Sequence, residues 1–163
     1  SAFGFARIFS SPFRRCLQTA SALASSLGVT EVQVHCGLGE AMVMVQRCGW
    51  PDPEHQLTYL SEEEMSRILG DAGVSCSLPV RGDAPKPGDD DVARILAVLR
   101  SLLAEAARAD GSTLLVTHGD LLGQWWEACT GETVLEIANC GWAVFDATSA
   151  TPAKSWGISA MQL

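Results

Sequence analysis

The sequence predicts a three-layer α/β fold with a mostly parallel sheet, and three observations carry that expectation. Residues 6–9 form an apolar run, with Arg7 inside it, that leads through Ser10-Ser11-Pro12 into a helical pattern. Thr113-Leu114-Leu115-Val116-Thr117 is a continuous apolar run of the kind found in buried parallel strands, and it ends in His118-Gly119-Asp120. Amphipathic segments alternate with these runs, giving the order strand, helix, strand, mixed segment, helix, strand, helix, strands.

Each element has its own signal. In the first helix Leu17, Ala20, Leu23, Ala24 and Leu27 share a face. Pro12 suits a first helical turn and Ser11 is a natural N-cap. Gly28 is a C-terminal stop. Residues 32–36 alternate as a short strand, and residues 37–40 follow as a turn. Residues 41–80 are the least readable: 41–45 are apolar, 49–53 read as loop, and Ser61 with Glu62, Glu63 and Glu64 caps a helix running through Leu69. Residues 81–91 are rich in Pro, Gly and Asp and read as a loop inside one domain, not as a linker between two. A long helix spans about 91–109, with Val92, Ile95, Leu96, Leu99, Leu102, Leu103 and Ala106 on its apolar face. The acids Asp89, Asp90 and Asp91 at its start favour the helix dipole and read as capping, not as metal ligands. A further helix carries Trp125, Trp126 and Cys129, and residues 141–146 and 155–159 read as two strands closing the sheet.

Composition narrows the function classes. The 163 residues are 47% hydrophobic, enough for one domain with its own core. A formal charge of -8 argues against nucleic acid or an anionic membrane as the main partner, although a local cluster of arginines can still hold an anionic substrate. None of the six cysteines forms a C-x-x-C pair, so they read as reduced thiols in a cytoplasmic protein, without a structural zinc. No run is long enough to cross a membrane. The five tryptophans read as core and interface.

Three polar residues stand just past strand ends, the edge at which ligands gather in open α/β sheets. His118 follows the apolar strand, Arg15 lies one helical turn beyond the first strand, and Glu40 follows the 32–36 strand. Singly, a histidine in such a place is often structural, an arginine a surface charge and a glutamate a solvated one. Together they are complementary: a helix N-terminus with a guanidinium favours an oxyanion, and Gly119 lets a substrate approach closely. Other chemistries lack their motifs. No cysteine has an arginine six positions on (Cys76 and Arg81 come one residue short), and neither a G-x-S-x-G elbow nor a G-x-x-x-x-G-K-[ST] loop is present.

Ser11-Pro12-x-x-Arg15-x-x-Gln18-Thr19-Ala20 resembles the signature of the histidine phosphatase superfamily, the phosphoglycerate mutase-like fold. Leu38-Gly39-Glu40 resembles its Leu-x-Glu element, and 114–119 its apolar strand ending in His-Gly. Residues 11–20 and 36–40 look most like the group containing the suppressor-of-T-cell-signalling and ecdysteroid-phosphate phosphatases. The resemblance implies that Arg15 and His118, with Gly119 beside them, grip the transferred phosphoryl group and that Glu40 protonates the leaving oxygen, for which its pKa would have to be raised. It implies a phosphomonoesterase acting on a phosphorylated small molecule or phosphoprotein, without a metal or other cofactor. The family's nucleophile belongs to an Arg-His-Gly strand in the middle of the sheet, beside the strand ending in His118. The histidines of this chain are His35, His55 and His118, and none follows an arginine. The expectation is therefore one N-terminally truncated domain, inactive as it stands, or alternatively a non-catalytic phosphate-binding regulatory module. A strand supplied by another copy would make a homodimer.

Overall fold

A computed structural model describes residues 4–40, 60–83 and 90–162. The expectations for residues 41–45 and 49–53, and those for Cys48, Trp50, His55 and Asp89, fall outside these. The described residues fall into two compact units, one within Ser1–Asp91 and Asp110–His118, the other within Val92–Ala109 and Gly119–Leu163.

The first unit is built on a parallel sheet. Strands β1 (Phe5–Ser10), β2 (Glu31–His35), β3 (Ser75–Arg81) and β4 (Ser112–Val116) lie in the order β3-β2-β1-β4. Every ladder is parallel, with Ser10 opposite both Val34 of β2 and Val116 of β4. The α/β class and the parallel sheet are as the sequence predicts. Strand β3 is an addition that Pro79 hides, since proline cannot donate to a ladder. It is tolerated because β3 lies at the sheet edge. β4 forms the opposite edge: it pairs with β1, and no other described strand pairs with it.

Helix α1 (Arg14–Leu27) and helix α2 (Glu62–Gly70) supply the apolar cover of this unit. Leu17, Ala20 and Ala24 pack with Ile8, Val32 and Val34 of the sheet and with Met65 and Leu69 of α2 in one buried cluster. Leu23, expected on the buried face, is 36% exposed. Six residues beyond Leu17 it is turned well away from that stripe, and Cys16 and Ser21 are buried instead. Gly28 ends α1 in the left-handed conformation. The expected cap of α2 is present in full, as a reciprocal pair of bonds between Ser61 and Glu64. The expected cap of α1 is not: the N-cap position falls on Phe13, which has no capping side chain, and the Ser11 hydroxyl is engaged elsewhere.

In the second unit, α3 (Asp91–Ala106) buries Ile95, Leu99 and Leu102 but leaves Val92 51% exposed, outside the expected apolar face. Helix α4 (Gly119–Thr130) packs on a hairpin of β5 (Thr133–Phe145) and β6 (Pro152–Met161). Gly123 faces the side chains of Ile137 and Val134, where a Cβ would already be in contact. The hairpin corrects the expectation that these strands close the parallel sheet: they pair antiparallel with each other in a sheet of two. A short turn brings them together in sequence, so local pairing costs little loop entropy. Trp125 is buried, whereas Trp142 and Trp156 stand opposite each other across the hairpin, 47% and 56% exposed.

Gly111 holds the start of the β1–β4 ladder. Its φ is +88°, and a Cβ there would sit 2.7 Å from the carbonyl oxygen of Gly4, which also accepts from Ser112. Gly111→Ala combines left-handed strain with a backbone clash, and we expect it to destabilise the protein by about 2 kcal/mol, read as a lowered urea midpoint at unchanged slope.

Candidate functional site

Parallel strands end on the same edge, so the segments leaving β1, β2 and β4 converge. After β1 the chain turns through Ser11, Pro12 and Phe13 into α1, which places Arg15 in its first turn. After β2 a short 3-10 turn (Cys36–Leu38) leads to Glu40. After β4 come Thr117 and His118. Thr117 fastens two of these segments, since its hydroxyl donates to the Leu38 carbonyl at 2.9 Å. The Cys16 thiol fastens the third by donating to the Thr117 carbonyl at 3.5 Å.

The three residues predicted from the sequence meet at one atom. Arg15 Nη2 lies 2.8 Å from His118 Nδ1 and donates to Glu40 Oε2 at 2.7 Å. The same Glu40 oxygen stands 3.1 Å from Nδ1. The other ring nitrogen, Nε2, is 2.8 Å from Ser11 Oγ. His118 is held by a T-shaped contact with Phe13, centroids 4.9 Å apart, and the Arg15 guanidinium lies 5.0 Å from the centre of the same ring. The His118 side chain is 1% exposed and that of Arg15 49%. The histidine is therefore the floor of the site and the arginine its open side. Gly119, the fourth expected residue, follows His118 and opens α4. A Cβ there would meet only Ile137, at an ordinary 3.9 Å, so packing does not demand a glycine.

The electrostatics differ from the expectation for Glu40. Burial pushes its carboxyl up, but the hydrogen bond and charge of His118, with those of Arg15, outweigh burial and hold it below the ordinary value. In this resting state Glu40 is a carboxylate that neutralises Arg15. Its second oxygen, Oε1, is buried and has no hydrogen-bond partner among the described residues. Burial drives the Cys16 thiol up to about 11, against the opposing pull of Arg15. His35 is bound into its own turn, its Nδ1 accepting from Gly37 N–H at 3.0 Å.

Ser11, Phe13, Cys16 and Thr117 are site residues that the sequence reading did not place. The Ser11 contact depends on β1 and β4 being neighbours, since Ser10 and Val116 are opposite each other and the next residues emerge side by side. A strand-ending serine carries that signal only once the strand order is known. Among the described residues no three His, Cys, Asp or Glu side chains converge as a metal site.

Because its folded-state pKa is depressed, Glu40 stabilises the fold above its ordinary value of 4.5, and that contribution is lost as pH falls through the folded value. We expect Glu40→Gln to be less stable than the parent at pH 7 and the gap to narrow as the pH drops below that ordinary value, in urea titrations at several pH values.

No curated protein matches the chain. The family model of the histidine phosphatase superfamily (branch 1) matches residues 1–156, nearly the whole chain. The parallel α/β unit agrees with the phosphoglycerate mutase-like fold, and the motifs carrying Arg15, Glu40 and His118 stand at one sheet edge. This chain belongs to the histidine phosphatase superfamily.

Proposed function

We propose that the complete domain is a phosphomonoesterase working through a phosphohistidine, with Arg15 and His118 binding the transferred phosphoryl group and Glu40 protonating the leaving oxygen. The family supports phosphoryl transfer of this type. The observation that carries the assignment of roles is the meeting of Arg15 and Glu40 at His118 Nδ1. A phosphoryl group entering here takes Arg15 away from Glu40 and adds negative charge beside it. Both changes raise the Glu40 pKa, so substrate binding itself turns the resting carboxylate into a proton donor. Gly119, next to His118, leaves room for the substrate.

The nucleophile belongs to a strand alongside β4, whose outer edge pairs with no described strand. In this reading the 163-residue chain, in which no histidine follows an arginine, does not turn over. The substrate is a phosphorylated small molecule or a phosphoprotein. A second reading, a regulatory module that binds phosphate without cleaving it, draws on the second described histidine: His35 is committed to Gly37 through Nδ1.

Binding and turnover separate these readings. Phosphate should perturb the resonances of Arg15 and His118 in the 163-residue chain, and Arg15→Ala should weaken that binding at least about tenfold by removing the cationic donor. Glu40→Gln should tighten it about tenfold at pH 7, because a competing negative charge is gone. No perturbation by phosphate would sink both readings. Para-nitrophenyl phosphate should not be hydrolysed by this chain. Hydrolysis abolished by His118→Ala would overturn the proposal of inactivity, and a longer chain that binds phosphate yet forms no phosphoenzyme would favour the regulatory module.

A further inference from the structure

We propose that Ser11 is a positioning residue for His118, its hydroxyl being the two-way partner that lets the buried imidazole present Nδ1 either as acceptor to Arg15 or as donor to a bound phosphoryl oxygen. The proposal rests on the phosphate-binding reading above for the second of these states only.

The reasoning begins with burial. At 1% side-chain exposure the His118 ring has no access to bulk water, so each ring nitrogen needs a protein partner. Nδ1 faces two groups of opposite kind. A guanidinium only donates, and a carboxylate or phosphoryl oxygen, when ionised, only accepts. Nδ1 stands 2.8 Å from Arg15 Nη2 and 3.1 Å from the Glu40 carboxylate, so at rest it can accept from the nearer Arg15, a neutral ring then carrying its proton on Nε2, or donate to Glu40. With an anionic oxygen in front of it, Nδ1 must carry a proton, and a neutral ring then leaves a lone pair on Nε2. The partner of Nε2 must therefore accept in one state and donate in the other. Ser11 Oγ, 2.8 Å away, is a hydroxyl and does both by rotating one proton. The Cys16 sulfur, 3.7 Å from Nε2, is the other neighbour, a far weaker donor and acceptor.

Ser11 is also fixed well enough to act this way. It is fully buried, and its N–H donates to Val116 O at 2.9 Å. Its carbonyl accepts from the Ser10 hydroxyl, and its own Oγ accepts from Phe13 N–H at 3.3 Å. The N-cap position of α1 falls two residues later, on Phe13, so the Ser11 hydroxyl is spent on the histidine and on the turn around it. Phe13 packs edge-on against the imidazole and opposes its rotation.

The test uses the 163-residue chain labelled with 15N-histidine, inorganic phosphate as probe, and the variants Ser11→Ala and Ser11→Thr. Without phosphate, the His118 Nε2 resonance should move in Ser11→Ala and return toward the parental position in Ser11→Thr. On adding phosphate to the parent, Nδ1 and Nε2 should shift in opposite directions as the proton changes sides. Ser11→Ala should lose that exchange and bind phosphate about tenfold more weakly, since one buried ring nitrogen is left unpaired, whereas Ser11→Thr should bind within about twofold of the parent. An Nε2 resonance unchanged by Ser11→Ala, or parental phosphate affinity in that variant, overturns the proposal. If Ser11→Ala does not fold, the parent decides: ring nitrogens that fail to move oppositely when phosphate binds overturn it. A parent that does not bind phosphate at all overturns the functional reading instead, and the phosphate-free Nε2 comparison still judges the role of Ser11.

Discussion

The parallel ladder between β1 and β4 decides where every group of the site stands. Ser10 and Val116 are opposite each other, and β2 joins β1 in the same direction with Val34 also opposite Ser10. Three chain segments therefore leave the sheet at one level. Whatever follows each strand within a few residues is delivered to the same place: the turn into α1, the turn to Glu40, and Thr117-His118. Two hydrogen bonds to Thr117, from its hydroxyl to Leu38 and from Cys16 to its carbonyl, then tie the segments to one another. Held by backbone in this way, the polar groups need little side-chain ordering when a ligand arrives, which is the advantage of building a site on rigid elements.

Within that frame the charges are arranged to satisfy one another until something replaces them. Arg15 could not stand beside a buried imidazole without an anion nearby at some electrostatic cost, and Glu40 supplies it at 2.7 Å. The hydrogen bond and charge of His118, and after them this contact, keep Glu40 ionised, the opposite of what a proton donor needs. The two facts are compatible because the pKa of Glu40 belongs to its surroundings. An anion that takes Arg15 away removes part of what holds Glu40 down, while burial, the largest single influence, keeps pushing it up. In the proposed role, Glu40 is charged at rest and armed by its substrate.

How much of this was legible in the sequence follows from what each feature depends on. Arg15, Glu40 and His118 each sit in a short motif just past a strand, and both strand and motif are local, so they could be found along the chain. The capping box of α2 and the stop at Gly28 are local too. The role of Ser11 is not, because it depends on β4 lying beside β1, about a hundred residues away in sequence. β3 was obscured by Pro79, which argues against a strand unless the strand is known to be an edge. The sequence shows β5 and β6 as strands but not that they form a sheet of their own, because a strand's residue pattern says nothing of its partner. The charge state of Glu40 turned on distances of about 3 Å that no spacing encodes.

Cys16 shows how the same surroundings select one chemistry and reject another. A thiol 3.7 Å from a histidine ring nitrogen and next to an arginine in the chain has the neighbours of an activated nucleophile. A low pKa would require those neighbours to win over burial, and they do not: the thiol is pushed up to about 11. Near neutral pH only about one molecule in ten thousand then carries a thiolate there. The reason is geometric. Cys16 faces the apolar side of α1 among Leu17, Ala20 and the sheet, while Arg15, one residue earlier, faces the opening and spends its charge on Glu40. The sulfur is left as a packing group whose proton goes to the Thr117 carbonyl. The absence of a phosphatase-type cysteine motif and the burial of Cys16 thus agree with the proposed division of roles, in which Arg15 and His118 hold the anion while the thiol holds the Thr117 segment.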